Sequence, residues 1–121
     1  MWTYRQSTGD LADLHGEIIA TGYSGSGEGK NNPAMQNVPN VGPLPCGVYR
    51  IGYPRDTIKH GPFAMPLVPD PANQMFGRGD FMMHGDSRID PGCASEGCMI
   101  MPIDIREKVA ASGDKALKVI P

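Results

Sequence analysis

The sequence predicts a mainly β domain with one main helix near its C-terminus, and three observations carry that reading. Sixteen glycines and twelve prolines are too many for a helical bundle and suit short strands joined by many turns. Stretches rich in β-formers recur between turn clusters, as at Trp2 to Ser7 and Glu17 to Tyr23. Only Pro102 to Ser112 combines helical spacing with a stop signal. At 121 residues the chain is one domain, 1–121, with room for one modest core. Its net charge of −2, with scattered Lys and Arg, offers no basic stripe for nucleic acid. No apolar run is long enough to span a membrane, and Met1-Trp2-Thr3-Tyr4-Arg5 does not read as a signal peptide. The protein is therefore expected to be made in the cytoplasm and to reach any outside target by a secretion system or by lysis of the producing cell.

Taken in order, residues 2–24 read as an antiparallel meander with turns at Ser7-Thr8-Gly9-Asp10 and Asp13-Leu14-His15-Gly16, His15 facing solvent. Residues 24–47 are rich in Gly, Asn, Pro and Ser and read as a wall or lid of a site. The alternating glycines 25, 27 and 29 do not make a phosphate loop, because Lys30 is followed by Asn31. Asn32-Pro33 predicts one helical turn, with Asn as cap and Pro at the first helical position. Gly42 to Ile51 is a constrained entry into a strand carrying Val48, Tyr49 and Ile51. His60 falls in a turn, where it could line a groove but is expected to be exposed. Ala64 to Val68 is a strand with Met65 and Leu67 on one face, and Arg78-Gly79-Asp80 is a polar turn. In the helix, Asp104 and Glu107 suggest a capping box, Ile105 and Val109 a buried face, and Gly113 the stop. Leu117, Val119 and Pro121 suggest a closing edge strand.

The chemistry concentrates in residues 81–101. Phe81 to Met83 read as a short buried strand that delivers His84 and stops at Gly85. A polar loop, Asp86 to Glu96, leads to a turn on Gly97, then Cys98, then the apolar Met99 to Met101. A free thiol is only a few per cent thiolate at neutral pH, and a neighbouring imidazole can take its proton, leaving an ion pair that attacks carbonyls. A glycine beside the nucleophile keeps its approach open and leaves backbone N–H groups for an oxyanion. A buried structural His and Cys are the plainer alternative.

His84-Gly85 and Ser95-Glu96-Gly97-Cys98 resemble the active-site signature of YkuD-type L,D-transpeptidases, a His-Gly strand end followed after a loop by Ser-x-Gly-Cys. The longer form, His84-Gly85-Asp86-Ser87 through Ala94 to Cys98, resembles the type VI secretion L,D-transpeptidase effectors, small peptidoglycan-attacking toxins with prophage-borne relatives. Pro45, Gly47 and Tyr49 match a further segment of that fold, with Leu44 where the family has threonine. Glu96 stands where many relatives have His, and Ile100 where many have a carboxylate-binding Arg; Lys30, Arg78, Arg88 and Arg106 are the candidates to replace it.

The resemblance implies a YkuD-like β-sandwich or partly closed barrel. It also implies an enzyme that works without metal or cofactor on peptidoglycan tetrapeptide stems. Cys98 would be the nucleophile and His84 the base, Ser95 would bond near the imidazole or orient the loop, and N–H groups of Gly97 and Cys98 would hold the oxyanion. Asp86, Ser87, Arg78 and Tyr49 are the candidate substrate-binding residues, Asp86 with the further options of orienting His84 or capping the loop. An effector would act in the periplasm of a target cell and could have a cognate immunity protein. Two alternatives stand beside this: a zinc protein using His84, Asp86, Cys93 and Cys98, and a wall-binding module with a dead site. Cys46 and Cys93 either pair in an oxidising space or remain free thiols. On the resemblance, a Cys46–Cys93 bond would tether the 86–97 loop to the sheet.

Overall fold

Strand alternation at the N-terminus sets the first buried layer: Trp2 and Tyr4 point into the core while Arg5 is exposed. The structure, a computed structural model, describes all residues 1–121. Its strands are β1 (Trp2–Arg5), β2 (Asp10–Ala12), β3 (Ile18–Thr21), β4 (Tyr23–Ser24), β5 (Gly47–Ile51), β6 (Arg55–Thr57), β7 (Gly61–Pro69), β8 (Met82–His84), β9 (Met99–Ile100) and β10 (Ala116–Ile120). The one helix, α1, spans Ile103–Ala111. The fold is mainly β with a C-terminal helix, as the composition predicts.

The sandwich-or-barrel expectation resolves into one mixed sheet with strand order β3-β2-β1-β10-β5-β7-β8-β9-β4, β6 lying off this path against β7. The hydrogen-bond ladder does not close. Its two end strands are nevertheless separated in the chain only by Gly22, whose N–H donates to the Gly9 carbonyl at 2.8 Å. A Cβ at residue 22 would lie 1.8 Å from the Ile100 carbonyl oxygen, so only glycine lets β4 leave the meander and reach β9. Trp2, Tyr49, Met65, Met99, Val109 and Leu117 belong to one continuous core, so the sheet curls around a single apolar interior.

Three local expectations are corrected. The C-terminal strand is central: β10 pairs in parallel with β1 and antiparallel with β5, which fits the burial of Leu117 and Val119. The helix has no capping box. It begins at Ile103, so Asp104 lies inside the first turn and Pro102 takes the cap position with no side-chain bond. Tyr49 is core rather than surface: it is 1% exposed, and its hydroxyl donates to the Pro45 carbonyl at 2.6 Å. The turn at 33 is as expected, a single 3-10 turn over Pro33–Met35 in which the Asn32 side chain accepts from the Ala34 N–H.

Candidate active site

Strands β8 and β9 run parallel, with Met83 opposite Met99 and His84 opposite Ile100. Met83 and Met99 are both fully buried in the core, which fixes the register of the pair. One step back along that register, Met82 faces Cys98, and the Met82 N–H donates to the Cys98 sulfur at 3.4 Å. Alternation puts Met82 and His84 on one sheet face, which brings His84 to the side of the sheet where the Cys98 sulfur accepts from the Met82 N–H. Both line one cavity of about 310 Å³, together with His60, Phe81, Cys93 and Glu96. A second cavity of about 610 Å³ shares His60, His84 and Cys93 and adds Asp86, Arg88 and Arg106. His84 therefore stands between two spaces.

The turn that presents Cys98 is built by serines. Ser95, 1% exposed, donates from Oγ to the Cys98 carbonyl at 2.6 Å and accepts from the N–H groups of Gly25 at 2.8 Å and Gly97 at 3.1 Å. Ser24 Oγ donates to the Gly97 carbonyl at 2.9 Å and accepts from the Leu44 N–H. Gly97 has φ +133°, and a Cβ there would meet the Arg78 guanidinium at 2.5 Å and the Phe81 ring at 2.8 Å, so the turn requires glycine. Of the two roles open to Ser95, the structure shows it orienting the turn. The Gly97 N–H is already engaged by Ser95, which leaves the Cys98 N–H as the oxyanion candidate of the two. The Met82 N–H is a donor at the sulfur that sequence reading does not supply.

His84 is 4% exposed, and its Nδ1 lies 2.8 Å from the Gly85 carbonyl. A carbonyl only accepts, so Nδ1 carries the proton and Nε2 carries the lone pair. That Nε2 is buried and has no hydrogen-bond partner. Burial is the main force lowering the His84 pKa to about 4; the positive surroundings of His60 and Arg106 add to it, while the Gly85 bond and Asp86 oppose it. Burial likewise raises the Cys98 thiol, against the lowering effect of the Met82 N–H. The resting pair is thus a neutral thiol beside a neutral imidazole, where the sequence suggested an ion pair. His60 takes the groove-lining place and not the exposed one: it is half-buried, lines both cavities, and its ring stacks on His84 with centroids 4.4 Å apart and planes tilted by 32°.

The remaining predicted residues divide. Asp86 caps the loop: its carboxylate accepts from the Tyr23 hydroxyl at 2.6 Å, the Ser87 N–H and the Gly92 N–H, with no bond to His84. Ser87 lines the second cavity, and its Oγ accepts from the Asp90 N–H. Arg78 does not face a substrate anion. Its guanidinium donates to the carbonyls of Gln36, Pro43, Gly42 and Glu96, clamping the 36–43 segment to the turn before Cys98. Lys30 donates to the Gly92 carbonyl and lies over the Tyr23 ring. Of the four cations that could stand in for the family Arg, Arg88 and Arg106 line the second cavity.

The Cys46–Cys93 bridge is not made, and all three cysteines are free. Cys46 is held elsewhere, its thiol donating to Gln6 Oε1 at 3.3 Å, whereas Cys93 is exposed at both cavities. The zinc set is not assembled either: no three His, Cys, Asp or Glu side chains come together as metal ligands. Sequence reading missed Ser24, Tyr23 and the His60 stack, whose partners are 63 to 73 residues away for the first two and come from a separate turn for the third.

The curled β domain thus carries a tautomer-fixed histidine at the end of β8 and a cysteine just before its parallel neighbour β9. The family model described as the Tlde1 domain matches residues 18–119, and the chain belongs to that family of type VI secretion effectors. Among curated proteins and among solved structures, none matches the chain significantly. No helix is long and apolar enough to cross a membrane.

Proposed function

We propose that the protein is a cysteine-dependent L,D-transpeptidase or L,D-carboxypeptidase that removes or exchanges the terminal D-alanine of peptidoglycan tetrapeptide stems. The supporting observation is the His84 ring: Nδ1 is tied to the Gly85 carbonyl, and Nε2 is left buried, basic and unpartnered beside the cavity that holds Cys98. Membership in an effector family and the His-Gly and Ser-x-Gly-Cys segments support the substrate class. The Cys98 sulfur attacks the carbonyl on the L-centre of diaminopimelate as His84 Nε2 takes the thiol proton. Because both groups rest neutral, proton transfer accompanies attack. The Cys98 N–H faces the developing oxyanion. Collapse breaks the amide bond, and His84 returns its proton to the departing D-alanine amine. Water then resolves the thioester to a tripeptide, or an incoming amine replaces the alanine. Arg88 in the second cavity would meet a substrate carboxylate, since Arg106 is buried and committed to the Met101, Pro62 and Phe63 carbonyls.

As an antibacterial effector the protein would act in the target periplasm, and a cognate immunity partner would cover the same cavities. Mass spectrometry of purified tetrapeptide muropeptides incubated with the protein tests the reading. Loss or exchange of one alanine by wild type, and none by Cys98→Ala, is expected; unchanged muropeptides with folded wild type would reject it.

A further inference from the structure

His60 lies outside both signature segments, yet it is the side chain whose ring packs on His84. The turn that carries it, between β6 and β7, is pinned rather than loose. The His60 N–H donates to Thr57 Oγ1 at 2.8 Å, and the Phe63 N–H donates to Asp56 Oδ1 at 3.1 Å. Arg106 of α1 donates to the Pro62 and Phe63 carbonyls at 2.7 and 3.0 Å and to the Met101 carbonyl at 3.0 Å, tying this turn to the end of β9. The neighbouring Ile58 is fully exposed, so it is not side-chain packing there that orders the turn.

The charges around His84 sharpen the case. Lys59 comes from the same turn, Asp80 from the turn before β8, Arg106 from α1, Asp86, Arg88, Cys93 and Glu96 from the loop, and Cys98 is the residue before β9. Of the three carboxylates among them, Asp86 is engaged by Tyr23 and two backbone N–H groups, while Asp80 and Glu96 line the cavity with no hydrogen bond to their carboxylates. When His84 accepts the thiol proton, Arg106 and any charge on His60 oppose the new charge, and Asp86 favours it. What lies against the His84 ring is the ring of His60, 4.4 Å away between centroids. Burial and Lys59 lower the pKa of His60, so it presents a neutral ring.

We propose that His60 is a positioning residue for His84, its ring fixing the imidazole plane in which Nε2 meets the Cys98 thiol. The inference rests on the Cys98–His84 reading. It requires an aromatic ring at residue 60, because the contact is between two rings whose centroids lie 4.4 Å apart.

Alkylation of the reduced protein by iodoacetamide, read at Cys98 by peptide mapping with the exposed Cys93 as internal reference, tests this without a peptidoglycan substrate. His84→Ala should slow Cys98 relative to Cys93 by about tenfold or more, as expected for removal of a base. His60→Ala should slow it by about three- to tenfold, and His60→Phe should bring it back to within about twofold of wild type, because the stacking ring is restored. In wild type, ¹⁵N spectra of His84 should show a single tautomer protonated at Nδ1, and His60→Ala should give a mixture. A normal Cys98 rate in His60→Ala, or a Phe variant as slow as the Ala variant, overturns the role of His60 while a slow His84→Ala preserves the pair beneath it. A normal rate in His84→Ala overturns both. If His60→Ala does not fold, the Phe variant and the wild-type tautomer decide: mixed tautomers in wild type, or a slow folded Phe variant, overturn the proposal.

Discussion

The floor of the site and its walls are held by different forces. The floor is β8 and β9, where Met83 and Met99 are fully buried and His84 extends from a strand locked by apolar packing. The walls are the 24–43 segment and the 86–97 loop, where order comes from side chains bonded to distant backbone. Ser95, Ser24, Asp86, Lys30 and Arg78 each tie one wall to another or to the Cys98 turn. Apolar packing tolerates small errors by repacking, whereas a buried hydrogen-bond network loses a whole desolvation penalty when one member is removed. His84 therefore sits on the forgiving part of the molecule, whereas Cys98 is presented by the brittle part.

The sharpest way to break that comparison is at Ser95, where the two meet. Ser95→Ala leaves the N–H groups of Gly25 and Gly97 and the Cys98 carbonyl without their partner. Stability should fall by about 2–4 kcal/mol, given roughly 1–3 kcal/mol for each buried polar group left unpaired. Activity in the folded fraction should fall by about tenfold or more, since a misplaced nucleophile is costly. Denaturant titration and muropeptide turnover check both. Unchanged stability would mean that the turn is held by the floor alone.

Arg78→Ala should act more weakly, because its carbonyl partners are only partly buried. A loss of about 1–2 kcal/mol is expected, with faster proteolysis between residues 36 and 43 as the local signature. Arg78→Lys should not restore it, since one ammonium cannot span four carbonyls. Full rescue by Lys would show that charge alone, and not the fork, clamps the lid.

The smallest effect separates the neutral pair from a stored ion pair. His84 titrates at about 4 in the folded protein against 6.5 for the free side chain. Its neutral, basic form is thus present above about pH 4, so kcat/KM should hold a plateau down to roughly pH 5. An acid limb near 6.5 would contradict the burial argument. Stability follows the same group: between pH 6.5 and 4 the unfolded chain binds more protons than the native one. The melting temperature should therefore fall as pH drops through that window. His60, also lowered, contributes in the same direction, so His84→Gln should remove only part of the fall.

The floor was legible in the sequence because its signals are local. A short apolar run ending in His-Gly, and Ser-x-Gly-Cys before another apolar run, mark two strand ends, and strand alternation does the rest. The sequence pattern places the helix within a residue at each end, though its expected cap, Asp104, lies two positions past the observed one, Pro102. The walls were not legible. Nothing near Arg78 says that its partners are four carbonyls between 18 and 42 residues away, and an Arg beside a candidate site looks the same whether it clamps backbone or binds an anion. Tyr49 was misassigned for a related reason: an aromatic residue in a strand gives no sign of which face is buried until its neighbours are known. The centrality of β10 was hidden because a parallel pairing with β1 joins the two ends of the chain, a contact that no local pattern encodes.

The central claim is that Cys98 forms a covalent bond to the stem peptide with His84 as its base. The most direct measurement is the intact mass of the protein quenched in acid after brief mixing with tetrapeptide muropeptide. Wild type should carry an adduct equal to the muropeptide less one alanine, mapped to Cys98. His84→Ala should carry little of it, and Cys98→Ala none. Alanine release with no adduct in wild type, or an adduct that persists in Cys98→Ala, would contradict the account.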